Sequence, residues 1–214
     1  MAETKGKAPA GPSPRETPLE KLFRSLPNVD ASHIGGNLSA ADKQLDANKF
    51  FFFIAGTGGA PNKQPFAGSI GARLKIVEMN ITEEPPSADQ TMEIEVTQDM
   101  CNAFGNMHGA CGAFLLGHAA MGAIVQLGHA KGYDNGSLVA TAQNLQNMNW
   151  HTPANIGEVL TIRAETVFVD NKNRGPRLAS CEIREKNSGR LILTGTVGGV
   201  PSMHKSNTKG GAKL

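Results

Sequence analysis

Cysteine is scarce in this chain. Cys101, Cys111 and Cys181 are the three present, and no two lie close together. Neither a disulfide framework nor a paired-cysteine metal knuckle is therefore visible, and the pattern suits a reducing compartment. Long apolar runs are missing too: none approaches the roughly 20 residues needed to span a bilayer, so a membrane partner is not expected. The opening MAETKGKAPAGPSPRETP has no apolar signal core and carries Glu3 and Glu16, which argues against a secretory signal. A cytoplasmic location is the expectation, with a mitochondrial address left open. Excess charge of one sign is also lacking. A formal net charge of +2 and a pI of about 8.5, raised by lysines in the two tails, give no footprint for nucleic acid. One further absence is local: no Asp or Glu occurs from Cys101 to Lys131.

What is present is an ordinary globular composition, 39% apolar and 19% charged over 214 residues, enough for one sizeable domain or two small ones. Residues 1–17 and 202–214 are rich in small and polar residues and cannot bury enough apolar surface to offset ordering. Between them, residues 18–70 read as a helical and irregular extension, and residues 71–201 as the main domain. In the extension Pro18 opens an amphipathic stretch with Leu19, Leu22, Phe23 and Leu26 at helical spacing. Ser39 is a plausible N-cap for a second helix. The run Phe50 to Ile54 reads as the cap of a core or a subunit interface, and Gly56 to Gly59 as a connector, since no Gly-Lys-Ser/Thr ending follows.

From Arg73 onward the pattern is regular. Arg73 to Ile81 and Thr91 to Gln98 alternate as strands around the turn-rich Glu83 to Ser87. Gly109 to Gly128 reads as one long helix of small residues. Leu138–Trp150, Glu158–Val169, Arg177–Arg184 and Leu191–Val197 then read as four strands in a meander, joined by turns at 152–157, 170–176 and 187–189. The helix is poor on propensity, because each interior glycine costs about 1 kcal/mol against alanine. Close approach of a curved antiparallel sheet would compensate. The expected fold class is therefore α+β, a long helix wrapped by an antiparallel sheet. A Gly/Ala-rich membrane helix is the competing reading, disfavoured by His118, Gln126 and His129.

Two segments carry a resemblance. Asn102-Ala103-Phe104-Gly105-Asn106-Met107-His108-Gly109-Ala110 resembles the Asn-x-x-Gly-x-x-His-Gly-Gly signature of the hotdog acyl-CoA thioesterase superfamily, in its phenylacetic-acid-pathway and thioesterase-superfamily-member-2 branch. The stretch from Asn147 to Gly157, with its Trp150 and Pro153-Ala154, is similar to the family's aromatic-x-x-Pro-Ala-x-x-Gly strand end. The resemblance covers about residues 73–201. It implies a hotdog fold, hydrolysis of an acyl-CoA or related acyl thioester by activated water, no cofactor, and a pocket shared by two subunits of a homodimer or homotetramer.

It also implies roles. The N–H of Gly109, with that of Ala110, would donate to the thioester oxyanion. Asn102 would hold the water or the carbonyl, His108 would shape the turn, and Gln143, ten residues before Pro153, would orient water or the thioester. Each has a plainer reading: Asn102 as a turn-closing amide, His108 as a structural histidine. The family's helix carboxylate, nine residues beyond the motif histidine, is replaced here by Gly117. His118 is then the nearest candidate base, or else a histidine packed against the sheet. Cys111 is a candidate nucleophile near a helix start, or a buried inert thiol. A binding protein that has lost the carboxylate is the alternative function; a hydratase-type reaction lacks its Asp/His motif.

Overall fold

The structure is a computed structural model that describes residues 18–59, 63–132, 142–169 and 177–200, with the side chains of 18–20, 142–146 and 200 outside the description. The extension forms helices α1 (Pro18–Ser25), α2 (Ala40–Ala55) and the single turn α3 (Gly68–Gly71). Ser39 caps α2, its hydroxyl accepting the Asp42 N–H at 3.1 Å. The phenylalanine run continues this helix rather than standing apart from it. Its last turns face two ways. Phe50 and Phe51 pack against the main core, while Phe52 and Phe53 meet the buried Phe23 of α1 edge-on, with centroids 6.1 and 5.7 Å away. Gly56 ends the helix at φ 74°, a left-handed cap that glycine adopts without penalty.

Strands β1 (Lys75–Thr82) and β2 (Ser87–Glu95) come next, then a 3₁₀ turn at Gln98–Met100, which takes up the end of the expected second strand. The long helix α4 (Gly109–Ala130) follows, then β3 (Ala142–Trp150), β4 (Val159–Val169), β5 (Arg177–Glu185) and β6 (Leu191–Val200). These six strands form one antiparallel sheet in the order β1-β2-β4-β5-β6-β3. The four-strand meander is thus corrected. Of the four strands after α4, only β4, β5 and β6 lie beside one another in chain order. The crossover through α4 delivers β3 to the far edge, beside β6, and the chain then returns to place β4 against β2. Alternating strand patterns carry no record of which strand lies beside which. The turn expected at 170–176 lies outside the described residues.

Helix α4 packs against one face of this sheet. Leu115, Leu116, Ala119, Ala120, Ala123 and Ile124 are buried and share one core with Met92, Ile162, Ala164, Ala179 and Ile183. The small residues act as expected at two places. A Cβ on Gly112 would fall 2.4 Å from Trp150 Cη2, and one on Gly122 would fall 2.2 Å from Gln90 Oε1. By length and composition α4 could cross a bilayer, yet 56% of its most apolar stretch is buried inside the protein. The same core runs on into Ile34, Leu38, Ala47, Ile54 and Ile70 of the extension.

The two sheet edges differ. The 34–38 segment covers β1: Gly35 N–H donates to Val77 O at 2.9 Å, Met79 N–H to Gly35 O at 3.2 Å, and Leu38 N–H to Met79 O at 3.3 Å. The outer side of β3 has no strand partner among the described residues, and residues 147–150 of this edge are exposed.

Candidate active site

The entry to α4 is a small closed loop. Cys101 and Met107 form an antiparallel bridge, and inside it Asn102 N–H donates to Asn106 O at 2.8 Å. Gly105, at φ 78°, makes the reversal. The Asn102 side-chain oxygen accepts from the N–H groups of Phe104 at 2.9 Å and Asn106 at 3.3 Å. Asn102 is thus a turn-closing amide, as its plainer reading has it. Since the oxygen faces the loop, the Nδ2 group is left as a donor with no partner among the described residues.

His108 is the N-cap of α4, extended at ψ 141°. Its backbone N–H donates to Met100 O at 2.8 Å, and its ring Nδ1 accepts the Ala110 N–H at 3.0 Å. Accepting at Nδ1 requires the tautomer that carries its proton on Nε2. The first-turn amides can now be accounted for. Those of Cys111 and Gly112 donate to His108 O at 2.9 and 3.2 Å, and that of Ala110 is taken by the imidazole. Gly109 N–H has no partner among the described residues, and Gly109 is exposed. A Cβ on Gly109 would meet no protein atom closer than Trp150 Nε1, at 4.0 Å. Space beside its Cα is therefore open.

The two segments singled out in the sequence meet here. Met107 N–H donates to Ala154 O at 2.8 Å, and Asn106 bridges to Asn155. The 152–157 turn is itself held by Glu158. That carboxylate accepts from Asn155 N and Nδ2, both at 3.0 Å, and from Arg190 at 2.7 and 2.8 Å. Burial alone would raise the Glu158 pKa, but the bonds from Asn155 and Arg190 outweigh it and lower the value below 4.5. Trp150 lies across the first turn of α4 through its contact with Gly112. Trp150 as a packing residue, and the Glu158–Arg190 pair, escaped the sequence reading, because an ion pair between different turns leaves no spacing signal.

Farther along α4, Gly117 faces open space: a Cβ there would meet nothing within 4 Å. His118 stands edge-on to Phe114, ring centroids 4.6 Å apart, and Phe114 meets Phe66 at 6.0 Å. Burial depresses the His118 pKa below 6.5, which keeps the imidazole neutral at neutral pH. The Cys111 thiol is pushed up to about 11, first by burial and then by Asp99 and Cys101. It holds no thiolate at neutral pH and is the inert member of the pair of readings. The backbone of Gln143 pairs with Gly199; its side chain lies outside the described residues. Among the described residues no three His, Cys, Asp or Glu converge as a metal ion would require.

Comparison with solved structures decides the architecture. The chain superposes on zebra fish thioesterase superfamily member 2 with a TM-score of 0.55 at 18% identity, covering 72% of this chain and 94% of that one. The fold is a hotdog. A hypothetical thioesterase protein from Streptococcus pneumoniae TIGR4, solved with coenzyme A, matches with a TM-score of 0.50 at 18% identity, covering 63% of this chain and 89% of that one. No protein-family model matches the sequence, and no curated protein matches it. The hotdog helix here is α4, and the Gly109 amide, Asn102 and the 152–157 turn gather at its amino-terminal end.

Proposed function

We propose that this hotdog protein hydrolyses acyl-CoA thioesters by activated water, in a pocket shared by two copies of the chain. The observation that carries the reading is the Gly109 N–H, which has no partner among the described residues and belongs to an exposed residue at a helix start, with open space beside its Cα. A helix N-terminus holds a partial positive charge. A donor fixed there stabilises an oxyanion more than a neutral carbonyl, which is what lowers a barrier. Asn102 Nδ2 is the second donor.

The need for two copies follows from reach. Gly117 and His118 lie two turns beyond Gly109, roughly 12–14 Å along the axis, whereas reacting groups must come within about 3–3.5 Å. Within one chain, His118 cannot serve the carbonyl held at Gly109. A partner related by a two-fold axis would bring its own His118 across. The open β3 edge, with the β1 edge already covered, is the side on which such pairing would continue the sheet. In the reaction the water oxygen bonds to the thioester carbon while His118 of the partner subunit takes the water's proton. The tetrahedral oxyanion then collapses, the carbon–sulfur bond breaks, and the proton is returned to the leaving CoA sulfur.

A second reading is favoured by Gly117. With open space where the family's carboxylate would stand, and no acidic residue on α4, the chain would bind acyl-CoA without cleaving it. Direct measurement of free CoA, using the purified protein and acyl-CoAs of increasing chain length, separates the two. Turnover that scales with enzyme concentration supports hydrolysis. Saturable binding with no CoA release across the panel replaces it with the binding reading.

A further inference from the structure

A cleft of about 280 Å³ lies where the extension meets β1, at the edge of the sheet remote from β3. Val29, Ile34, Phe51, Leu74 and Ile76 give it apolar walls. Ile34, Leu74 and Ile76 belong to the main core, and Val29 and Phe51 pack against that core, so the walls are fixed. The Val29 side is pinned further: its N–H donates to Asn48 Oδ1 at 3.1 Å, and its carbonyl accepts from Gln44 Nε2 at 2.9 Å. The Ile34 side is held by the bond from Gly35 N–H to Val77 O. A cleft built this way is formed before any ligand arrives, as small-molecule sites generally are. Its volume sits at the low end of the roughly 300–1,000 Å³ of such sites, which restricts the occupant to a small one. None of its lining belongs to the 101–110 loop or the 152–157 turn.

Three titratable side chains, Asp30, His33 and Lys75, line the same cleft. Asp30 is engaged locally: its Oδ1 accepts from the Ser32 N–H at 3.0 Å and the Ser32 hydroxyl at 2.7 Å, and His33 is its neighbour of opposite charge. Lys75 is exposed, and its side chain has no partner among the described residues. Glu93, opposite it in the strand register, is held instead by Lys186 at 2.7 Å. The cleft thus pairs apolar walls with one uncompensated cation. We propose that it binds a small apolar monocarboxylate of the medium-chain fatty acid class, with the carboxylate at Lys75 and the chain against Ile34, Leu74 and Ile76. An amine of the same shape would be repelled by Lys75, and a neutral alcohol would leave that charge unanswered. A dianion would call for more than one free cation. The proposal does not depend on the acyl-CoA reading and needs no second copy of the chain.

The test uses the full chain with octanoate, butanoate, 1-octanol and octylamine as probes, each below the concentration at which it self-associates. Calorimetric titration gives the Kd values, and methyl NMR gives the location. Octanoate should bind saturably and shift the methyl signals of Ile34, Leu74 and Ile76. Butanoate should bind at least tenfold more weakly, since each buried methylene is worth up to about fourfold. Octanol should bind about fivefold more weakly than octanoate, the most that one exposed ion pair contributes, and octylamine more weakly still. In Lys75→Gln the octanoate-to-octanol ratio should fall to within about twofold, and Lys75→Arg should restore it. Absence of saturable octanoate binding overturns the site. Equal binding of octanoate, octanol and octylamine overturns the carboxylate assignment, as does a ratio that survives Lys75→Gln. Methyl shifts confined to Leu115, Leu116 and Ile124 of α4, with Ile34, Leu74 and Ile76 unmoved, overturn the location. Each of these results leaves the acyl-CoA reading standing, because free-CoA release tests that separately.

Discussion

Gly117 and His118 are adjacent in the chain and opposite in chemistry. The glycine offers only space, and the histidine only a neutral nitrogen held out of water. Desolvation disfavours the imidazolium, so His118 stays unprotonated through neutrality. It becomes charged, and useless as a base, only as the pH falls below the 6.5 of an ordinary histidine. In the two-copy mechanism, kcat/KM should be flat near neutrality and fall on the acid side of that value. His118→Ala should lower kcat by about 10²-fold and abolish the acid limb. A pH–rate profile of both proteins checks this, and an unchanged limb would remove His118 from the mechanism. Stability moves the same way. The folded state takes up this proton less readily than the unfolded state, so protonation below pH 6.5 favours unfolding.

At the scale of the element, α4 shows how one residue type carries several meanings. Gly112 is required by packing, since Trp150 and Leu193 occupy the space of its Cβ, whereas Gly117 is surrounded by nothing within 4 Å. Alanine is the better helix former by about 1 kcal/mol at either position. Gly112→Ala should nevertheless lower stability by roughly 1–3 kcal/mol through overpacking against Trp150, while Gly117→Ala should raise it by about 0.5–1 kcal/mol. Denaturant midpoints of the two variants decide it. The existence of this helix was legible because a run of Gly and Ala without proline needs close partners. Which glycine meets which partner was not, since that depends on the sheet's curvature. The loop before α4 was legible through Asn102, Gly105 and His108. The occupation of the Ala110 amide by the His108 ring was not, because it turns on a side-chain rotamer. The place of β3 was hidden for a different reason: alternation tells which face of a strand is buried and leaves its neighbour unspecified.

For the whole molecule, the unequal edges of the sheet and the reach of α4 both point to assembly. One edge is closed by the 34–38 segment, and β3 stands open with Met148 and Trp150 partly exposed on it. Light scattering at micromolar concentration should therefore give at least twice the chain mass of 22.6 kDa. A strict monomer could not bring His118 to a carbonyl at Gly109. The central claim, however, is that the Gly109 amide is the oxyanion donor, and a backbone donor can be removed at this position with little disturbance. Gly109 is the first residue of α4, where proline is well tolerated, and His108 already has the extended backbone that a following proline demands. Gly109→Pro deletes the N–H, and Gly109→Ala keeps it while adding a Cβ no nearer than 4.0 Å to Trp150. The decisive measurement is kcat for acyl-CoA hydrolysis in these two variants, alongside circular dichroism to confirm that both are folded. The account predicts a loss of about 10²–10³-fold in Gly109→Pro and near-normal turnover in Gly109→Ala. Equal activity in the folded proline variant would contradict it.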